Sequence, residues 1–184
     1  MLYLLGGAAR SGKTIIARRF LAEKGIPFFS LDFLAHGLAR TYPQFQIDLN
    51  SDDVSVGESL WPLVKLISTM MILEEHEYLL EGALIQPKHA QEIRLEFPTR
   101  VRACFVGFAD AEIGAKFQQV KRYGGGPDDW MAEFDDKTVL EELSRLITTS
   151  DALREACKQY QLQYFETSAE FEQSVQKVVA FLAG

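Results

Sequence analysis

An apolar run, Leu2 to Leu5 (LYLL), leads directly into GAARSGKT, residues Gly7 to Thr14. These eight residues fully match G-x-x-x-x-G-K-[S/T], and the following IIARRFLAEK, Ile15 to Lys24, reads as a helix. Strand, glycine-bounded loop and helix in this order constrain the chain more than any other feature. Successive backbone N–H groups of such a loop can curl around a phosphate, and the helix N-terminus adds its positive dipole end. In that mechanism the cradle is Gly7, Ala8, Ala9, Arg10, Ser11, Gly12, Lys13 and Thr14. Lys13 reaches the terminal phosphates and the Thr14 hydroxyl sits on Mg²⁺. The plain alternative is a glycine turn with an incidental lysine.

The 184 residues are read as a single domain spanning 1–184, long enough to hide roughly two-thirds of the unfolded surface. A net charge of −7 argues against a general nucleic-acid surface, which needs excess Lys and Arg. Cys104 and Cys157 lack C-x-x-C spacing, and His36, His76 and His89 are scattered, so neither a disulfide framework nor a metal cluster is expected. Cys104 reads as core. No run is read as approaching the roughly 18 apolar residues of a membrane span. The first strand starts at residue 2 without a basic leader, so a cytoplasmic location is expected. Nothing in the chain indicates an oligomeric state.

Strand and helix patterns alternate along the rest of the chain. Strands are expected at 27–31 (PFFSL), 78–85 (YLLEGALI), 101–107 (VRACFVG) and 162–166. Residues 33–41 read as a short helix or loop, and the polar, acidic stretch 46–57 as a loop. A helix is expected over 59–76, with Pro62 in its first turn. Further helices are expected at 88–96, 111–123, 137–160 and 169–183, the third of these four being the long one. Gly124-Gly125-Gly126-Pro127 reads as a strong helix stop. Five strands separated by helices imply an α/β fold, a parallel sheet covered on both faces. Ligands in such folds sit at the carboxyl ends of the strands.

That rule selects the polar residues. Asp32, read as ending the second strand, could accept a proton from an attacking hydroxyl or hold a water on Mg²⁺; capping the following helix is its structural alternative. Glu81 is a carboxylate in a strand that otherwise wants burial, which a bound Mg²⁺ or Lys13 would offset, so it is read as the second metal group. The segment 109–130 reads as a lid. Its helix carries Lys116, Lys121 and Arg122 ahead of glycines, with Arg122 the first choice for neutralising a moving phosphoryl group. Arg40, Lys88, His89, Phe33, Trp61 and Trp130 are candidates for acceptor contacts, with ordinary surface or core roles as the alternative. Thr167-Ser168-Ala169 is similar to the guanine-contacting segment of small GTPases. However, no Asp-x-x-Gly follows a strand and no Asn-Lys-x-Asp follows the fourth, so a GTPase is disfavoured. The other reading has Ser168 capping the last helix.

With these residues in place, the chain resembles the small phosphate-loop kinases of the nucleoside and nucleotide kinase group. GGAARSGKT followed by an apolar strand ending in Asp32 is similar to chloramphenicol phosphotransferase and its relatives, and YLLEGALI is similar to the third-strand segment of uridine kinase. The resemblance implies a three-layer fold with a five-stranded sheet of order 2-3-1-4-5. It also implies ATP as donor, a Mg²⁺ requirement, and a base after the second strand, here Asp32. The lid lacks the multiple-arginine pattern and inserted domain of adenylate kinase. The expected function is an ATP- and Mg²⁺-dependent phosphotransferase acting on a hydroxyl of a small molecule, with no nucleic-acid or membrane partner. The alternative is a nucleotide-binding regulatory or toxin-like module without an acceptor.

Overall fold

β1 (Leu2–Gly7) lies at the centre of the sheet, in register with two parallel neighbours. On one side is β3 (Tyr78–Gly82), which in turn pairs with the three-residue edge strand β2 (Phe28–Ser30). On the other side is β4 (Val101–Gly107), followed by β5 (Gln163–Glu166). All five strands are parallel and the order is 2-3-1-4-5, as the resemblance implies. The computed structural model describes residues 1–123 and 130–184.

Side chains alternate across a strand, so β1 feeds two cores. Leu2 and Leu4 join Leu80, Ala103 and Phe105 on one face, beneath α2 (Leu31–Thr41), α3 (Asp53–Leu73), α4 (Pro87–Glu96) and part of α6 (Asp136–Gln159). Tyr3 and Leu5 join Cys104 and Val106 on the other, against α1 (Lys13–Lys24) and α7 (Phe171–Ala183). Phe20 of α1 is fully buried with its ring edge-on to Tyr3 at 5.0 Å. Burying such a side chain contributes about 1.5–3 kcal/mol. A third cluster joins α5 (Ile113–Tyr123) to the first half of α6 through Phe108, Val120, Val139 and Leu143.

Several elements differ from the sequence pattern. β2 ends at Ser30, which is the N-cap residue of α2, so Asp32 is the second residue of a helix and neither ends a strand nor caps one. α3 starts at Asp53 rather than 59, which places Pro62 inside the helix. The acidic stretch read as loop contains the cap that starts α3. Asp52 Oδ1 accepts from the Val54 and Ser55 amides, each at 3.0 Å, and Oδ2 accepts from Ser55 Oγ at 2.9 Å. Those bonds satisfy donors that a helix start otherwise leaves open. β3 stops at Gly82, because the chain turns at 83–86 into α4. The N-cap residue of α7 is Glu170, not Ser168. The expected stop at 124–127, and with it part of the 109–130 segment, lies outside the described residues.

Among the described residues α3 is long and apolar enough to cross a membrane, which corrects the reading that no run comes near that length. In the fold its Val56, Leu60, Val64 and Ile72 are core residues.

Candidate active site

The loop between β1 and α1 is held from within. The Ala8 carbonyl accepts from Lys13 Nζ and from Ser11 Oγ, both at 2.8 Å, and from the Ser11 amide at 3.3 Å. Two residues at its crest have left-handed backbones, Arg10 at φ 59° and Gly12 at φ 94°. A side chain at position 12 would be strained there and would also press on the Phe171 ring. Gly12 is the N-cap residue of α1 and supplies no capping side chain, and the first turn carries no acid. By contrast, Asp52 caps α3 and Asp135 caps α6. The amide donors at the start of α1 are thus left for an anion.

Lys13 is 8% exposed and Glu81 only 2%. The strand register sets Glu81 beside Ser30 of β2 and Leu5 of β1. Its Oε1 accepts from Thr14 Oγ1 at 3.3 Å, which brings the loop hydroxyl and the β3 carboxylate together. Burial pushes the Lys13 pKa down, opposed by Glu81, Asp32 and Asp53. It pushes the Glu81 carboxyl up, opposed mainly by Lys13. Each group is driven toward its neutral form by burial and held charged by the other. Asp32 is exposed at the start of α2, with Oδ1 3.5 Å from where a Gly82 Cβ would stand. The bare glycine lets that helix end come close to β3.

Sequence reasoning missed Asp53. The residue is the first of α3, and its carboxyl is pushed up by burial while Lys13 and Arg145 pull it down. The signal was present in Asp52-Asp53 followed by Val56, Leu60 and Val64 at helical spacing, but the acidic run was read as loop. Three carboxylates, Asp32, Asp53 and Glu81, therefore act on one buried lysine. No three His, Cys, Asp or Glu side chains among the described residues converge as a self-sufficient metal cage. A Mg²⁺ site built from one hydroxyl, one carboxylate, nucleotide phosphates and water needs no such cage. The Thr14 and Glu81 donor set fits that kind of site.

The helix α5 reaches the loop at Lys116, not at Arg122. Lys116 is 8% exposed, and its Nζ donates to the Arg10 carbonyl at 3.5 Å and to Gln119 Oε1 at 3.0 Å. Arg122 is exposed at the end of α5, with its guanidinium 5.3 Å over the Tyr123 ring. Lys121 pairs with Asp136 at 2.7 Å.

The remaining candidates separate. His89 is buried, stacks on Trp61 at 4.4 Å and lies 2.8 Å from Glu58, which also holds Lys88. These residues lock α3 to α4. Arg40 is exposed in the last turn of α2. Trp130 lies 6.0 Å beneath the Arg10 guanidinium, on the loop side. Phe33, next to Asp32, is exposed. An apolar cavity of about 300 Å³ lies between β2, β3, α2 and α3; its lining includes Leu31 and Leu80, the chain neighbours of Asp32 and Glu81.

The chain superimposes over its full length on solved structures of low sequence identity. A shikimate kinase from Bacteroides thetaiotaomicron matches with a TM-score of 0.60 at 14% identity, covering 100% of this chain and 99% of the other. The fold is that of phosphate-loop small-molecule kinases. A gluconokinase from Sinorhizobium meliloti 1021 gives 0.58 at 14% identity, covering 98% and 90%. A sugar kinase from Janibacter sp. HTCC2649 gives 0.57 at 16% identity, covering 99% and 94%. No protein-family model matches the chain, and no curated protein matches it.

Proposed function

We propose that the protein is an ATP- and Mg²⁺-dependent phosphotransferase acting on a hydroxyl group of a small molecule. One observation carries the reading. A phosphate loop with an uncapped helix behind it opens onto a buried lysine facing three carboxylates, at the carboxyl ends of β1 and β3 and the starts of α2 and α3. Asp32 and Asp53 place two carboxylates beyond the loop, where an attacking hydroxyl needs a base and an anchor. The structural neighbours carry the names of kinases of shikimate, gluconate and sugars, which supports a small-molecule acceptor.

In this reading the Gly7–Thr14 amides and Lys13 hold the donor's phosphates. Thr14 and Glu81 would hold Mg²⁺, which when bound would supply positive charge to offset the negative charge of the donor's phosphates. Asp32 accepts the proton of the acceptor hydroxyl as its oxygen bonds to the γ-phosphorus and the bond to the bridging oxygen breaks, releasing ADP. Asp53 faces the same space and orients the acceptor. Arg122 approaches the phosphoryl group only if the end of α5 moves, so we assign the resident lid cation to Lys116.

The test is ATP consumption with Mg²⁺ against pools of nucleosides, sugars, hydroxy acids and aminoglycoside- or phenicol-type antibiotics. A pool that raises turnover well above the ATP-only rate, with Lys13→Ala silent, is the expected result. Tight ATP binding with no stimulation by any pool would overturn it in favour of a regulatory nucleotide-binding module.

A further inference from the structure

The crest of the phosphate loop turns on one peptide, Arg10–Ser11. Its N–H donates to the Ala8 carbonyl at 3.3 Å, and its C=O accepts from Lys116 Nζ at 3.5 Å. The plane is thus pinned from both ends, once from inside the loop and once from α5. The pinning falls where the backbone needs support, because Arg10 is a non-glycine residue at φ 59°. Lys116 is itself fixed. Its ammonium donates to Gln119 Oε1 at 3.0 Å, lies 4.2 Å over the Phe108 ring and is almost wholly buried. Burying an ammonium is costly, and surface positions along α5 would avoid that cost.

We propose that Lys116 is the positioning residue of the phosphate loop, holding the Arg10–Ser11 peptide in the orientation the donor's phosphates require. The part of this concerning nucleotide rests on the phosphotransferase reading. The part concerning the loop does not. The same contact ties α5 to the loop, so the helix and the bound phosphates share one cation. Among the described residues, the charged groups facing Lys116 are the Arg10 guanidinium from the loop and the Glu166 carboxylate from the end of β5. Burial and Arg10 bring its pKa down to about 8, with Glu166 opposing. The ammonium therefore loses half its charge near pH 8, well below an ordinary lysine.

Two measurements on the full chain test the proposal, with Lys116→Met and Lys116→Arg. Methionine keeps the apolar stem and removes the charge, and arginine keeps the charge without titrating in this range. The first measurement is hydrogen exchange of the loop amides without nucleotide. The Ser11 amide should exchange about tenfold faster in Lys116→Met, the size expected for losing one charge-assisted bond. The second is calorimetric binding of Mg-ATP from pH 7 to 9. Wild-type affinity should fall with a midpoint near pH 8, while Lys116→Met should bind about tenfold more weakly at pH 7 with a flat profile. Lys116→Arg should match wild type at pH 7 and stay flat. Unchanged loop exchange in a folded Lys116→Met, or wild-type binding at every pH, overturns the proposal. Faster loop exchange in Lys116→Met, together with a wild type that binds no Mg-ATP, would leave loop positioning standing and remove the phosphotransferase reading.

Discussion

Replacing Gly12 with alanine tests the loop geometry without touching a charge. Position 12 has φ 94°, where a Cβ meets its own backbone. The left-handed conformation costs a residue with a side chain about 1–2 kcal/mol. The new Cβ would also stand 2.6 Å from Cε2 and Cζ of Phe171, so the first residue of α7 must shift. Carbon atoms settle at about 3.5–4.0 Å, and forcing an extra methyl into a packed site costs about 1–3 kcal/mol. The sum is about 2–5 kcal/mol, or a fall of roughly 4–20 °C in the unfolding midpoint for a chain of this size. Thermal unfolding of the nucleotide-free protein measures it, and calorimetry with Mg-ATP should show binding weakened at least about tenfold as the loop amides are re-aimed. The cycle with Phe171→Ala separates the two causes. The double variant should recover about 1–3 kcal/mol relative to the sum of the single changes, because the clash is gone and only the φ strain is left. An unchanged midpoint together with unchanged Mg-ATP affinity in Gly12→Ala would refute the reasoning.

Two further outcomes follow from the same geometry. Asp32→Asn should lower acceptor-dependent turnover by about 10²–10⁴ with ATP affinity near wild type, and steady-state kinetics beside a binding titration checks it; surviving turnover would rule out Asp32 as the base. Both thiols should be inert in the folded protein. Cys104 is fully buried with its pKa pushed far up by burial, and Cys157 is pushed up to about 12. A maleimide at pH 8 should label neither until denaturant is added; native labelling of Cys104 would contradict the packing of α1 and α7 on the sheet, and of Cys157 that of α6.

Local sequence determined the phosphate loop, because the motif is contiguous and its glycines, lysine and threonine act through their own backbone and side chains. It also determined the α/β class, through alternating apolar runs, and named Glu81, since a carboxylate inside YLLEG must find a cation. Helix starts were harder to read. Asp52 and Asp53 looked like solvated loop, yet one caps α3 and the other, by following the cap, is carried into the site. Tertiary structure alone decided which cation of α5 meets the loop. Lys116, Lys121 and Arg122 are equivalent as residue types on one helix. Only the packing of α5 against Phe108 and α6 turns Lys116 inward to the Arg10 carbonyl and leaves Arg122 outside. That contact joins residues 106 positions apart, and no local pattern records it.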